Sequence, residues 1–206
     1  MEQTYIDYLS LRETLRDYAS PRSQVSYLRR KGKLVRVRRG LYVPADTSGV
    51  SLLTLANKIY GPSYVSFETA LAYHGLIPER SETVTSASMS KNKSKLFKTP
   101  LGSFIYRSVP SAVFPYGVER FGDEKDPFLI AAPEKALCDL LAKSGGAVPA
   151  GPLFERFLLE DLRIDPSGLA RLNMREISIL ARLYEKRPIT LLVEYLKQGR
   201  RHHGGS

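Results

Sequence analysis

The stretch Pro21–Pro44, PRSQVSYLRRKGKLVRVRRGLYVP, decides how the rest of the chain is read. Ser20 stands where a helix N-cap belongs, and Pro21 follows at the first helical position, where a missing N–H costs nothing. Val25 and Leu28 fall on one face of the predicted helix, with Ser23, Ser26, Tyr27 and Arg30 on the other. Gly32 supplies the stop. Beyond it, Leu34–Val37 and Leu41–Val43 are β-prone runs flanking Arg38-Arg39-Gly40, which predicts a tight hairpin with a basic tip. Between Arg22 and Arg39 there are eight basic residues and no acidic one. A helix with a polar, basic face followed at once by a basic hairpin fits a winged helix-turn-helix, in which the helix enters the major groove and the wing rests on phosphates. The expected DNA contacts are Arg22, Ser23, Ser26, Tyr27 and Arg30 on the helix and Lys33, Arg36, Arg38 and Arg39 on the hairpin. The plainer alternative is a solvated helix and hairpin charged for solubility. Charge of a single sign, interleaved with polar residues, favours nucleic acid.

The composition agrees with that partner. The chain has 206 residues, 43% hydrophobic and 25% charged, with a net charge of +10; these are globular values with a surplus suited to a polyanion. Residues 1–48 hold ten basic and five acidic side chains, so the surplus is concentrated where the winged helix is read. The single cysteine, Cys138, excludes an internal disulfide and a cysteine-rich zinc site, and its apolar neighbours Ala136 and Leu137 suit a buried small hydrophobe. No apolar run reaches the length of a membrane span and no signal peptide is visible, so a cytoplasmic protein is expected.

In chain order, residues 3–18 read as helical, with Tyr5, Leu9 and Leu15 as apolar contacts and Ser10 able to cap a second short helix from Leu11. Turn-rich residues 44–49 mark a boundary. Helices follow at Ser51–Tyr60 and after an extended entry at Tyr64–Phe67. Strands are expected in Glu82–Ser88, Leu101–Val109, Tyr116–Phe121 and Pro127–Ala131, then a helix from Pro133 through Leu141. From Leu153 the chain is helical. The expected fold class is α+β: a winged helix-turn-helix over 1–48, then a domain over 49–206. That domain divides into a mixed α/β part (49–148), a C-terminal helical bundle (149–200) and a disordered tail (201–206).

Three blocks carry a resemblance to a known family: Arg39-Gly40-Leu41-Tyr42-Val43-Pro44, Tyr64–Leu76 (YVSFETALAYHGL) and Ala132–Leu141 (APEKALCDLL). In this order they resemble the AbiEi-type antitoxins of type IV, abortive-infection toxin–antitoxin systems. The resemblance implies a winged helix that represses its own operon by binding promoter repeats, and a larger C-terminal part needed to neutralise the toxin. It further implies a nucleotidyltransferase-like toxin, opposed without a stable complex. A monomer in solution is the separate expectation for the chain itself.

Residues 89–107 form a second basic stretch, with Lys91, Lys93, Lys95, Lys98 and Arg107, and no acidic residue occurs from Thr83 to Val118. It reads either as a solvated loop tip or as a second nucleic-acid surface, with Phe97 and Tyr106 as stacking partners. His74 and Glu134 suit helix-end roles rather than catalysis. No phosphate-binding glycine loop, HExxH or GxSxG is present. The expectation is a non-enzyme with no catalytic residues, metal or cofactor. The alternative is a nuclease-like enzyme delivered by its winged helix, with Glu68 and Glu134 as candidate acids.

Overall fold

The computed structural model describes residues 5–46, 49–78, 81–89, 93–145 and 148–203. Its N-terminal unit consists of β1 (Ile6–Asp7), α1 (Tyr8–Thr14), α2 (Pro21–Arg30), β2 (Leu34–Arg38) and β3 (Leu41–Pro44). The three strands lie in the order β1-β3-β2, antiparallel throughout. The start of the chain departs from the expected pair of helices. Asp7, not Ser10, is the cap: its carboxylate accepts from the Ser10 N–H at 2.8 Å, and the residues before it are drawn into a strand by pairing Ile6 with Tyr42. Leu9, expected in the core, is 74% exposed, whereas Leu11 and Leu15 are buried.

The larger unit is built on a mixed sheet. Its strands are β4 (Ser63–Val65), β5 (Thr83–Met89), β6 (Lys95–Thr99), β7 (Gly102–Val109), β8 (Val118–Phe121) and β9 (Phe128–Ala131), in the order β6-β7-β5-β4-β9-β8. Tyr106 of β7 and Tyr64 of β4 lie opposite Ser86 and Ala87, successive residues of β5, so they point to opposite faces. Tyr106 reaches α3 (Leu52–Ile59), donating to the Ala56 carbonyl at 2.6 Å. Tyr64 reaches α5 (Pro133–Ser144) on the face that also carries α4 (Phe67–Tyr73). Lys95–Thr99, read as a basic loop, is instead an edge strand antiparallel to β7.

Next come α6 (Pro152–Arg156), a π-helical segment over Phe157–Asp161, α7 (Pro166–Arg171), α8 (Met174–Tyr184) and α9 (Arg187–His203). These helices do not form a bundle of their own. α8 and α9 pack on each other and on α5, and Leu158, Leu169, Ile177 and Leu192 share one apolar core with Leu137 and Leu141. The expected tail is likewise corrected at residues 201–203, which are the last turn of α9.

The hairpin β2–β3 serves two cores. Leu34 and Tyr42 pack with Leu11, Leu15 and Val25 in a small cluster under α1 and α2. Val37, Leu41 and Val43 point the other way, into the main core. The division expected near residue 48 is therefore a change of sheet but not of packing. Arg38 reinforces the join by donating from Nη1 to the Ile59 carbonyl at the end of α3. Among the described residues no helix is long and apolar enough to cross a membrane.

Candidate nucleic-acid interface

α2 is presented as its sequence dictates. The Ser20 hydroxyl accepts from the Ser23 N–H at 3.4 Å, and Pro21 occupies the first turn. Gly32, at φ +67°, ends the helix, and the Lys33 N–H bonds the Leu28 carbonyl at 2.9 Å. This is the return bond of a glycine-terminated helix. Val25 is the buried residue of the helix, and Pro21, Gln24 and Leu28 are half-buried. Arg22, Ser23, Ser26, Tyr27, Arg29 and Arg30 are exposed. The helix face named from the sequence is therefore the solvent face.

That face forms one wall of an open groove of about 900 Å³. Arg22, Ser23, Ser26, Arg29 and Arg30 line it from α2, Leu34, Val35 and Arg36 from β2, and Pro100 from the turn between β6 and β7. Four of these lie outside the expected site: Arg29, Leu34, Val35 and Pro100. Arg29 was among the eight counted cations but not assigned to the contacting face. Pro100 had no signal at all, because only the tertiary fold brings that turn beside α2. Tyr27 stands apart from the groove lining, with the Lys31 ammonium 5.9 Å from its ring centre.

On the hairpin, Lys33, Arg36 and Arg39 are exposed. Gly40, at φ +84°, lets the chain reverse beside Arg39. Arg38 does not stand at a free tip, since its guanidinium is committed to the α3 carbonyl. The second basic stretch is likewise split. Lys93, Lys95 and Lys98 are exposed along the edge of the sheet, and Lys91 lies outside the described residues. Arg107 is half-buried. Its Nη1 donates to both Glu68 carboxylate oxygens at 2.8 and 3.0 Å, and its guanidinium lies 4.8 Å from the Phe67 ring centre. Tyr106 and Phe97 are not exposed stacking platforms. Tyr106 is fully buried, and Phe97 packs edge-on against it at 5.6 Å.

The residues considered for catalysis hold structural positions. Glu68 is occupied by Arg107. Glu134 accepts from the Asn173 N–H at 2.7 Å, and His74 Nε2 lies 2.9 Å from the Ala131 carbonyl oxygen. Next to Glu134 is a buried network that sequence reading missed. Lys135 and Asp139, one helical turn apart in α5, are both 0% exposed and form an ion pair. Asp139 also accepts from the hydroxyls of Tyr64 at 2.9 Å, Ser66 at 2.6 Å and Tyr184. Burial lowers the Lys135 ammonium pKa against the opposing pull of Asp139, and burial pushes the Tyr64 and Tyr184 phenols up. The same burial pushes the Cys138 thiol up, away from nucleophilic use. With every acceptor of Asp139 engaged, the network ties α5, β4 and α8 together rather than offering a reactive group.

The turn that feeds α4 is strained. Phe67, fully buried, has φ +57°, a left-handed conformation that costs a side-chain-bearing residue about 1–2 kcal/mol. It is held there from both sides: Ser66 is fixed by Asp139, and the Thr69 N–H donates to the Thr85 hydroxyl at 3.1 Å.

Residues 6–45 match the family model described as "Transcriptional regulator, AbiEi antitoxin". The matched segment nearly coincides with β1 through β3, and it carries the first of the three blocks in which the resemblance was read; the other two lie outside it. No curated protein is significantly similar to the chain in sequence. Among solved structures, the fold is similar to that of the RV2827C protein from Mycobacterium tuberculosis, with a TM-score of 0.58 and 16% identity. The likeness covers 94% of this chain and 71% of that one.

Proposed function

We propose that this protein is an antitoxin that represses its own operon, with β1–β3 acting as a winged helix-turn-helix on promoter repeats. The single observation that carries the reading is the exposed polar and basic face of α2, lining an open groove within the segment that matches an antitoxin-regulator family. Arg22, Ser23, Ser26, Arg29 and Arg30 meet the base edges, and Lys33, Arg36 and Arg39 the phosphates. The resemblance supports the rest: a type IV, abortive-infection system in the cytoplasm, and a nucleotidyltransferase-like toxin opposed through the larger unit without a stable complex. The protein works by binding rather than catalysis, a reading supported by Glu68, Glu134 and His74 all being held in structural contacts.

Gel shifts across a salt series test the DNA half. Arg30→Ala lowers operator affinity by about 1–3 kcal/mol if it makes a bidentate base contact. Arg39→Ala weakens binding to all sequences and flattens the salt dependence. Wild-type affinity in both variants would overturn the assignment. Co-expression with the toxin, beside a promoter reporter, tests the other half: a folded Arg29→Ala/Arg30→Ala/Arg39→Ala variant derepresses the promoter and still protects cells. Loss of both activities together would place them on one basic surface.

A further inference from the structure

Two cations of the larger unit with no carboxylate partner among the described residues, Lys143 and Lys186, stand near Arg107 where the end of β7 meets the C-terminal turn of α5 and the α8–α9 connection. Two neighbouring hollows of about 410 and 440 Å³ open there, and Lys143 lines both. The first also has Arg107, Glu68, Ser94 and Ser144 on its wall, and the second has Lys186 and Ser108. Two nearby acids are engaged, Glu68 on Arg107 and Asp139 within the buried network, and Glu185, the neighbour of Lys186, is exposed. Among the described residues, neither the Lys143 nor the Lys186 ammonium has a hydrogen bond or ion pair. Their mutual repulsion is felt: partial burial lowers the Lys143 pKa, Asp139 opposes this, and Lys186 and Arg107 add to it.

Arg107 is prepared for a ligand rather than left to wander. Glu68 holds one of its nitrogens, Phe67 lies beneath its plane, and the left-handed turn at Phe67 sets both. Only Nη1 is used by Glu68, so the remaining N–H groups of the fork stay available. A planar guanidinium fixed in this way, two unpaired ammonium groups and the hydroxyls of Ser94 and Ser108 are the donors that phosphate oxygens take, the Ser144 hydroxyl being spent on the Leu140 carbonyl.

The geometry points to a binding site for two linked phosphate groups, one in each hollow, with Lys143 shared between them. The site is separate from the α2 groove, and it does not depend on the DNA reading. Linked phosphates reach a protein either as the polyphosphate of a nucleotide or as consecutive phosphodiesters of a nucleic acid, and the test distinguishes the two.

The full chain is titrated calorimetrically with inorganic pyrophosphate at constant ionic strength. The wild type binds, and Lys143→Ala/Lys186→Ala, altering two exposed side chains, lowers affinity at least tenfold with an unchanged melting temperature. Arg29→Ala/Arg30→Ala leaves pyrophosphate binding intact. A nucleoside diphosphate and a short single-stranded oligonucleotide lacking terminal phosphates are then compared as competitors, and the one that displaces pyrophosphate identifies the source. No pyrophosphate binding by the wild type, or equal binding by the Lys143/Lys186 variant, overturns the proposal. So does a loss confined to the Arg29/Arg30 variant, which would assign the signal to the α2 groove.

Discussion

Removing residues 1–48 tests whether the larger unit stands alone, and the hairpin predicts that it does not. Val37, Leu41 and Val43 are 6%, 4% and 0% exposed, all within the main core. Burying a side chain of this size is worth about 1.5–3 kcal/mol, so the three together contribute about 5–9 kcal/mol. The net stability of a whole domain is only about 5–15 kcal/mol. Truncation also uncovers the apolar surface that these residues shield and removes the Arg38 bond to the Ile59 carbonyl. A fragment beginning at Gly49 should therefore lose most or all of its margin. Urea titration followed by circular dichroism and tyrosine fluorescence is the assay. The full chain should unfold in one transition, and the fragment should show a broad, weakly cooperative one with dye-binding apolar surface. A fragment that unfolds sharply, with a midpoint close to that of the full chain, would refute the reasoning.

Leu28 is half-buried, so Leu28→Ala should cost about 1–2 kcal/mol, below the range for fully buried leucines, and should reduce DNA binding through the seating of α2. A loss beyond 3 kcal/mol in chemical denaturation would mean that the helix packs more deeply than described. Lys135→Met strands Asp139 in the core and should cost about 3–5 kcal/mol, whereas Lys135→Met/Asp139→Asn, which removes the charge but keeps an acceptor for the buried hydroxyls, should recover part of that; additive losses in the double-mutant cycle would exclude a coupled pair. The Asp7 carboxyl is held below its ordinary value of 3.8 by the Ser10 N–H. A depressed carboxyl stabilises the fold above its unfolded pKa, and that contribution is lost as pH falls through the folded one. Asp7→Asn should therefore flatten the acid limb of the stability curve below about pH 4, and an unchanged limb would remove Asp7 from the account.

Much of the N-terminal unit was legible because its determinants are local. Ser20, Pro21 and Gly32 bound α2, alternation marks the hairpin, and the spacing of Val25 and Leu28 orients the helix. β1 escaped because a two-residue strand has no period, and its existence depends on Tyr42, far along the chain. β6 escaped because an edge strand buries little: exposed Lys95, Leu96 and Lys98 resemble a loop, and only Phe97 and Thr99 are half-buried. Lys135 and Asp139 escaped for the opposite reason. Charges four apart on a helix ordinarily face water, and the hydroxyls of Tyr64, Ser66 and Tyr184, brought from elsewhere in the chain, make their burial tolerable. Arg107 belonged to a basic run in sequence but finds its partner 39 residues away in Glu68.

A hairpin clamped on both sides is a bracket, not a hinge. The direction in which α2 points is set by Val37, Leu41 and Val43 seated in the body. Inserting a few glycines after Gly49 should therefore leave the angle of attack on DNA unchanged, since loop length costs little. A swap of Val43 for a bulkier residue would tilt the whole reading head. Any force on the body is transmitted to α2 through this bracket as torque, without the slack a flexible tether would provide.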